Sequence, residues 1–215
     1  MSLRSLLVTS LCLVSLPLWA ATEGVDYVTL EKPLSHAQGS LTKIFSYDCP
    51  FCFKYDVGVD PKVLPRVEKE AHLTFNPIHL ETKAVYGRLA SEFLALCVLQ
   101  DRKVGRSIEN PNSLFVKAKN ALYVAYHKKG ERWTSGEDAF LKTLTDATGL
   151  SLATFRAAQH DPQVLALCEV WKESYDVAKI QGIPAYVVNG KYLIMTKNIR
   201  GLDQMVDLIK ALKDQ

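Results

Sequence analysis

The sequence predicts an α/β domain interrupted by an all-helical insertion, with residues 21–82 and 162–215 forming two parts of one unit around a helical block at 83–161. Three observations predict it. A strand, helix, strand order in the first part reads as a βαβ unit. The middle carries apolar residues at helical spacing with no strand-rich stretch. The last part returns to two apolar strands followed by an amphipathic helix.

Residues 27–30 (YVTL) and 40–47 (SLTKIFSY) are rich in β-branched and aromatic residues and are punctuated by Gly39, which suits two strands. A helix fits from residue 50 to about 70. Gly58 and Pro61 are expected to interrupt it, and Pro65 to do so again, because proline has no N–H and crowds the preceding turn. Residues 72–80 (HLTFNPIHL) read as a third strand. In the insertion, Leu89, Phe93, Leu96, Cys97 and Gln100 fall near one face at helical spacing. Three more amphipathic pieces follow (LFVKAKNALYVAYHKKG, SGEDAFLKTLTDATG, SLATFRAAQHD), several closed by glycine and one opened by Ser151 as a cap. Residues 162–182 read as one long helix presenting Val164, Cys168, Trp171, Tyr175 and Ala178 on a single stripe. The run IPAYVVNGKYLIM is two strands joined at Asn189-Gly190, a dipeptide typical of a two-residue hairpin turn, and the C-terminal residues form a closing helix.

With 48% hydrophobic and 23% charged residues, the 215-residue chain can bury one good core. Residues 1–20 have another texture: Arg4, the apolar run LLVTSLCLVSL, then Pro17, Leu18, Trp19 and Ala20. That is the order of a secretory signal cleaved near Ala20. An apolar run of about eleven residues is too short for a membrane span, which needs about twenty. The mature chain is therefore expected to be soluble and exported. Losing Arg4 lowers the formal charge from +3 to +2, too little to imply a nucleic-acid partner. Losing Cys12 leaves Cys49, Cys52, Cys97 and Cys168. An even number in an exported protein points to oxidised pairs.

Cys49 and Cys52 sit in the stretch DCPFC. A tetrahedral metal site needs four ligands, yet the chain has no second Cys-x-x-Cys and its histidines, at 36, 72, 79, 127 and 160, lack ligand spacing. Neither a metal nor a cofactor is expected. If Cys49 is a helix N-cap, Pro50 takes the first helical position at no cost. The free amides of Phe51 and Cys52 and the positive helix end then favour a Cys49 thiolate. Cys52, one turn in, lies on the same face within disulfide reach and is expected to be the more buried sulfur. Cys49 is thus the attacking and leaving sulfur, and Cys52 resolves the mixed disulfide. Phe51 brings no charge, Asp48 is an opposing anion, and Lys43 helps if its strand points the amine toward the pair. A purely structural Cys49–Cys52 bond is disfavoured, because so short a loop gains little chain entropy.

Ile183-Pro184 immediately precedes a strand, which by itself is ordinary. Beside a Cys-Pro-x-Cys helix start and a βαβ frame, it resembles the cis-proline loop of the thioredoxin superfamily. Cys49-Pro50-Phe51-Cys52, the helical insertion and GIPAYVVNGKY together resemble the DsbA family of periplasmic thiol:disulfide oxidoreductases along nearly all the mature chain, most of all its DsbL branch. The resemblance implies a thioredoxin-like fold with an inserted all-helical domain and a periplasmic monomer. It implies that the Cys49–Cys52 disulfide is donated to exported substrate proteins and restored by a quinone-linked inner-membrane oxidase of the DsbB or DsbI type. It also implies that Ile183 and cis Pro184 lie against the cysteines and hold substrate peptide extended. One departure is plain: Lys43 stands where DsbA has a buried glutamate six residues before its first cysteine. A cation there would stabilise the thiolate by a different route.

Cys97 and Cys168 each occupy an apolar helical stripe. In an oxidising compartment they are expected to form a structural disulfide; closing about seventy residues contributes on the order of 4 kcal/mol in the chain-entropy model. The plainer reading is two buried free thiols. Lys54, Lys179, Lys191, Lys197 and Arg200 flank the active helix or follow the proline loop, and are expected to form a basic rim that steers acidic substrate segments; the plainer reading is a solvated surface. His79 and His127 are read as ordinary histidines. Two other functions compete: an isomerase or reductase of the same superfamily, and a redox-inert peptide-binding module.

Overall fold

A computed structural model describes residues 21–82 and 84–215. The expected signal segment, with Arg4 and Cys12, lies outside the described residues, as does position 83 at the expected start of the insertion. Five strands make one sheet in the order β1-β5-β4-β2-β3: β1 Tyr27–Thr29, β2 Ser40–Phe45, β3 Thr74–His79, β4 Ala185–Val188 and β5 Tyr192–Ile194. β2 and β3 run parallel, from Ser40 opposite Thr74 to Phe45 opposite His79. β4 is antiparallel to β2, placing Lys43 opposite Tyr186 and Ile44 opposite Ala185. All six residues of β2 are buried, as expected for a central strand covered on both faces.

The crossover between β2 and β3 is built from α1 (Pro50–Gly58), α2 (Asp60–Arg66) and a π turn (Val67–Ala71). Gly58 ends α1, and Pro61 opens α2, where a missing N–H costs nothing. Pro65 lies inside α2 and does not end it; the chain widens into the π turn directly afterwards. α2 and the π turn pack with α9 (Leu202–Lys213) around Val63, Val67, Val206, Leu208 and Ile209.

The block between β3 and the last helices is helical, as the periodicity predicts: α3 (Gly87–Lys103), α4 (Leu114–Tyr123) with a π turn at Val124–Lys128, α5 (Glu137–Thr148) and α6 (Leu152–Ala158). α3 differs from the one-faced helix expected. Every residue from Ala90 to Val98 is buried, because α3 is the axis of the block and meets α4 and α6.

Residues 162–182 form two helices, α7 (Pro162–Trp171) and α8 (Ser174–Gln181), instead of one. At the break the Ser174 hydroxyl donates to the Trp171 carbonyl, and the Glu173 carboxylate accepts from the Ser35 amide (2.7 Å) and hydroxyl (2.6 Å). The change of direction ends the stripe: Val164 and Trp171 are buried, but Tyr175 is exposed and Ser174 and Val177 turn inward. The β4–β5 turn has Asn189 and Gly190 both at positive φ (53° and 68°). A Cβ at Gly190 would stand 2.7 Å from the Leu34 carbonyl oxygen, so the turn needs glycine for space as well as conformation. Lys191 adds a third residue to the turn, with Val188 opposite Tyr192.

Candidate active site

Cys49 is the N-cap of α1, with Pro50 in the first turn, and its sulfur accepts the Cys52 amide at 3.1 Å. The interaction with the Cys52 side chain draws its pKa down to about 7 against the opposing effect of burial, helped by the amides of Cys52 and Phe51 and resisted by the Asp48 charge. Cys52 is 0% exposed. Burial and then the Cys49 sulfur push its thiol far above the ordinary range, while the Ser46 backbone and the Lys43 charge act the other way. One helix turn therefore holds a sulfur poised to ionise beside one that stays protonated.

The loop before β4 completes the approach. The Ile183-Pro184 bond is cis, and Cys49 Sγ lies 3.5 Å from the Ile183 carbonyl oxygen. Phe51 is 61% exposed, with Lys54 Nζ 5.3 Å from its ring centre. Phe53 stacks on His127 at 4.9 Å, and His127 Nε2 is 2.8 Å from the Tyr47 carbonyl oxygen. His127 is thus a clasp between the inserted helices and the redox helix, which its isolated place in the sequence does not reveal. His79 is an ordinary core histidine: burial lowers its pKa to about 3, and it lies 2.7 Å from the Ser91 hydroxyl.

Lys43 is an ion-paired cation and not a free one beside the cysteines. Its ammonium is buried and pairs with Asp60, with Asp56 at 3.9 Å, and its electrostatic reach is to Cys52. Asp60 also accepts from the Tyr186 hydroxyl, and Asp56 pairs with Lys119 of α4. None of these four partners is evident from DCPFC alone. A partial signal exists: Cys52 and Asp56 are four residues apart within α1, which places that acid on the cysteine's own helical side, whereas Asp60 lies beyond the end of α1.

The expected basic rim is divided. Lys197 and Arg200 are exposed after β5, whose Ile194 pairs with Tyr186 at the proline-loop end, and Lys54 stands beside Phe51. Lys179 is engaged by Asp176 at 2.8 Å. Lys191 does not belong to the rim: it sits in the hairpin turn at the opposite end of β4, 4.8 Å from the Tyr192 ring centre. Lys128, 5.9 Å from the Phe53 ring centre, is a cation of this face that the sequence does not single out.

Cys97 and Cys168 are free thiols in the structure and not the expected disulfide. Cys168 shares a small cavity with Ser91, His79 and Trp171. Cys97 is six residues beyond Ser91 on α3, which turns it about 120° away and about 9 Å along the axis. A disulfide needs Cα atoms within about 7 Å. Burial holds the Cys97 thiol well above the ordinary range and the Cys168 thiol at about 12, so both are also poorly reactive. Thiol counting after denaturation, with Cys49–Cys52 oxidised, is expected to find two titratable groups; a count of zero would restore the bond.

No protein-family profile matches the chain. It is 52% identical over 211 residues to the thiol:disulfide interchange protein DsbL of Escherichia coli O6:H1, covering 97% of this chain and 94% of that protein. The crystal structure of DsbL from Salmonella enterica serovar Typhimurium matches with a TM-score of 0.85 at 53% identity, over 91% of this chain and 98% of that one. The disulfide oxidoreductase DsbA from Proteus mirabilis matches at 20% identity with a TM-score of 0.69, over 91% and 98%, a likeness of fold alone. The sheet and its inserted helices are thus a thioredoxin-like fold, and the chain belongs to the DsbL family of thiol:disulfide interchange proteins, with disulfide oxidoreductase activity.

Proposed function

We propose that the chain is an oxidant of the periplasm: its Cys49–Cys52 disulfide is donated to exported proteins that carry cysteines, and a membrane oxidase of the DsbB or DsbI type restores it. The division of the two sulfurs carries this reading. A substrate thiolate attacks Cys49, the accessible sulfur, and the electron pair of the broken bond leaves on Cys52. A second substrate thiolate then attacks the mixed disulfide and expels Cys49, whose pKa of about 7 makes it a good leaving group. Stabilising the Cys49 thiolate favours the reduced protein and hence oxidation of the partner. Two pKa units correspond to at most about 3 kcal/mol, or roughly 60 mV, and less for a sulfur partly open to solvent.

Ile183 and Pro184 would hold the substrate backbone extended beside Cys49, a role supported by the Ile183 carbonyl 3.5 Å from the sulfur. No helix among the described residues is long and apolar enough to cross a membrane. We further propose a monomer released by cleavage near Ala20, with domain limits at 21–82, 83–161 and 162–215. Equilibration with glutathione tests the function, with Cys49→Ser as control: a reduction potential near those of periplasmic oxidants supports donation, a thioredoxin-like value supports a reductase, and no exchange supports a redox-inert binder.

Lys54, Lys128, Lys197 and Arg200 remain as a basic face for acidic substrate segments. The rate of oxidising an acidic cysteine peptide is expected to fall several-fold between low salt and physiological ionic strength. A rate independent of salt would remove the steering role.

A further inference from the structure

A cleft of about 300 Å³ lies where the two parts of the molecule meet. The sheet and α2 supply Phe45, Leu64 and Phe75, and the insertion supplies Ile108, Phe115 and Val116. Phe45 and Phe115 close on one another edge to face, 6.1 Å between ring centres. Lys43, Asp56, Asp60, Glu109 and Lys119 also reach the cleft. Four of these charges are spent in two pairs, Lys43 with Asp60 and Lys119 with Asp56. Glu109, in the loop between α3 and α4, is different. Its backbone amide donates to the Ser107 hydroxyl (3.3 Å), but its half-buried carboxylate has no hydrogen-bond or ion-pair partner among the described residues. Burial first, and then the charges of Glu68 and Asp60, raise its pKa to about 7, and no cation of the chain relieves it.

A mostly apolar wall with one unpaired anion beside it selects a cation that carries an apolar body. An anion has no such place: to reach Lys43 or Lys119 it must open a buried pair, which is strongly destabilising. A metal ion finds one free carboxylate where a hard cation takes six or more oxygens, and no group of three metal-ligating side chains exists among the described residues. Size narrows the class further. At about 30 Å³ per water molecule the cleft holds the equivalent of about ten, so its occupant is small. A lysine side chain from another protein brings the charge but no ring to cover the aromatic wall. We infer that the cleft is a binding site for a small amphipathic amine, its apolar body against Phe45, Phe75 and Phe115 and its ammonium on the Glu109 carboxylate. Its position between a domain and an insertion is a common one for such sites. No cysteine lines the cleft, so the inference stands apart from the disulfide-donor reading.

Phenethylamine, a ring and an ammonium on a short stem, is the probe. In an NMR titration of the protein it is expected to bind with a Kd in the millimolar range or tighter, and to shift the methyl signals of Leu64, Ile108 and Val116. Glu109→Gln keeps the shape and removes the charge. Its affinity for phenethylamine is expected to be about tenfold weaker, the effect of one charge-assisted contact. Its melting temperature is expected to equal or exceed that of the parent, because the change removes an unpaired, half-buried charge; a lower one would mean that the carboxylate already has a partner, against the inference. Butylamine keeps the ammonium without the ring, and hydrocinnamate keeps the ring with the opposite charge. Each is expected to bind at least about tenfold more weakly than phenethylamine. Cys49→Ser is expected to bind it as the parent does, and loss of binding in that variant would place the probe at the redox site instead. The inference is overturned by absence of binding, by shifts confined to residues outside the cleft, by parental affinity in Glu109→Gln, or by butylamine or hydrocinnamate matching phenethylamine.

Discussion

Replacing Asp60 by alanine is expected to destabilise the protein by about 3–5 kcal/mol, the range found when one partner of a buried ion pair is removed. Lys43 is only 2% exposed, and without Asp60 its nearest anion is Asp56 at 3.9 Å, which Lys119 already holds. The Tyr186 hydroxyl loses its acceptor in the same change. At roughly 2–4 °C per kcal/mol for a chain of this size, the melting temperature should fall by about 10 °C. Lys43→Met alone should cost a similar amount, because it strands the Asp60 carboxylate. The double replacement Lys43→Met, Asp60→Leu is expected to recover most of the loss, since an apolar pair of similar volume carries no desolvation penalty. Additive losses in that cycle would show that the two residues do not depend on one another.

The legible parts of this molecule are those fixed by local rules. The β-branched and aromatic runs at residues 40–45 and 185–194, the Asn189-Gly190 turn and the Pro50 helix start each express a backbone preference within a few residues, and each is found where the residues place it. The N-cap role of Cys49 was readable for the same reason. What local rules miss depends on distant partners. The break at Lys172-Glu173 is held by Ser35, far away in the chain, and no signal within residues 162–182 announces it. Lys43 illustrates the limit best: a lysine in a buried strand invites the idea of a free cation near the cysteines. Its pairing with Asp60 depends on how the helix turns after Gly58, and that turn makes it half of a buried ion pair whose charge is felt at Cys52. Likewise a tally of basic residues cannot show that Lys191 stands at the wrong end of a strand.

The stability of the reduced protein relative to the oxidised one is expected to rise as pH increases from 7 to 9 and to turn over above 9. Cys49 titrates near 7 in the folded protein and near 9 when unfolded. A group whose folded pKa is depressed contributes stability that is fully present above its unfolded value and is lost as pH falls through its folded value, so its window is 9 down to 7. Cys52 has the opposite sign. Its folded pKa is raised far above 9, so above that pH the unfolded chain ionises a sulfur that the fold keeps neutral, and stability falls. Cys97 and Cys168 contribute equally to both redox forms and cancel in the difference. The Cys49 contribution is on the order of 2 kcal/mol once solvent screening of a partly exposed sulfur is allowed for, or roughly 4–8 °C in melting temperature for a chain of this length. Melting curves of the two redox forms at intervals from pH 6 to 10 measure it directly, and a difference that is flat between 7 and 9 would mean that the Cys52 side chain and the amides of Cys52 and Phe51 do not stabilise the Cys49 thiolate. Asp48→Asn supplies the internal control. Removing an anion that resists Cys49 ionisation should carry the lower edge of the window below pH 7 and leave the turnover above 9 in place, because that turnover is set by ionisation of Cys52 in the unfolded chain.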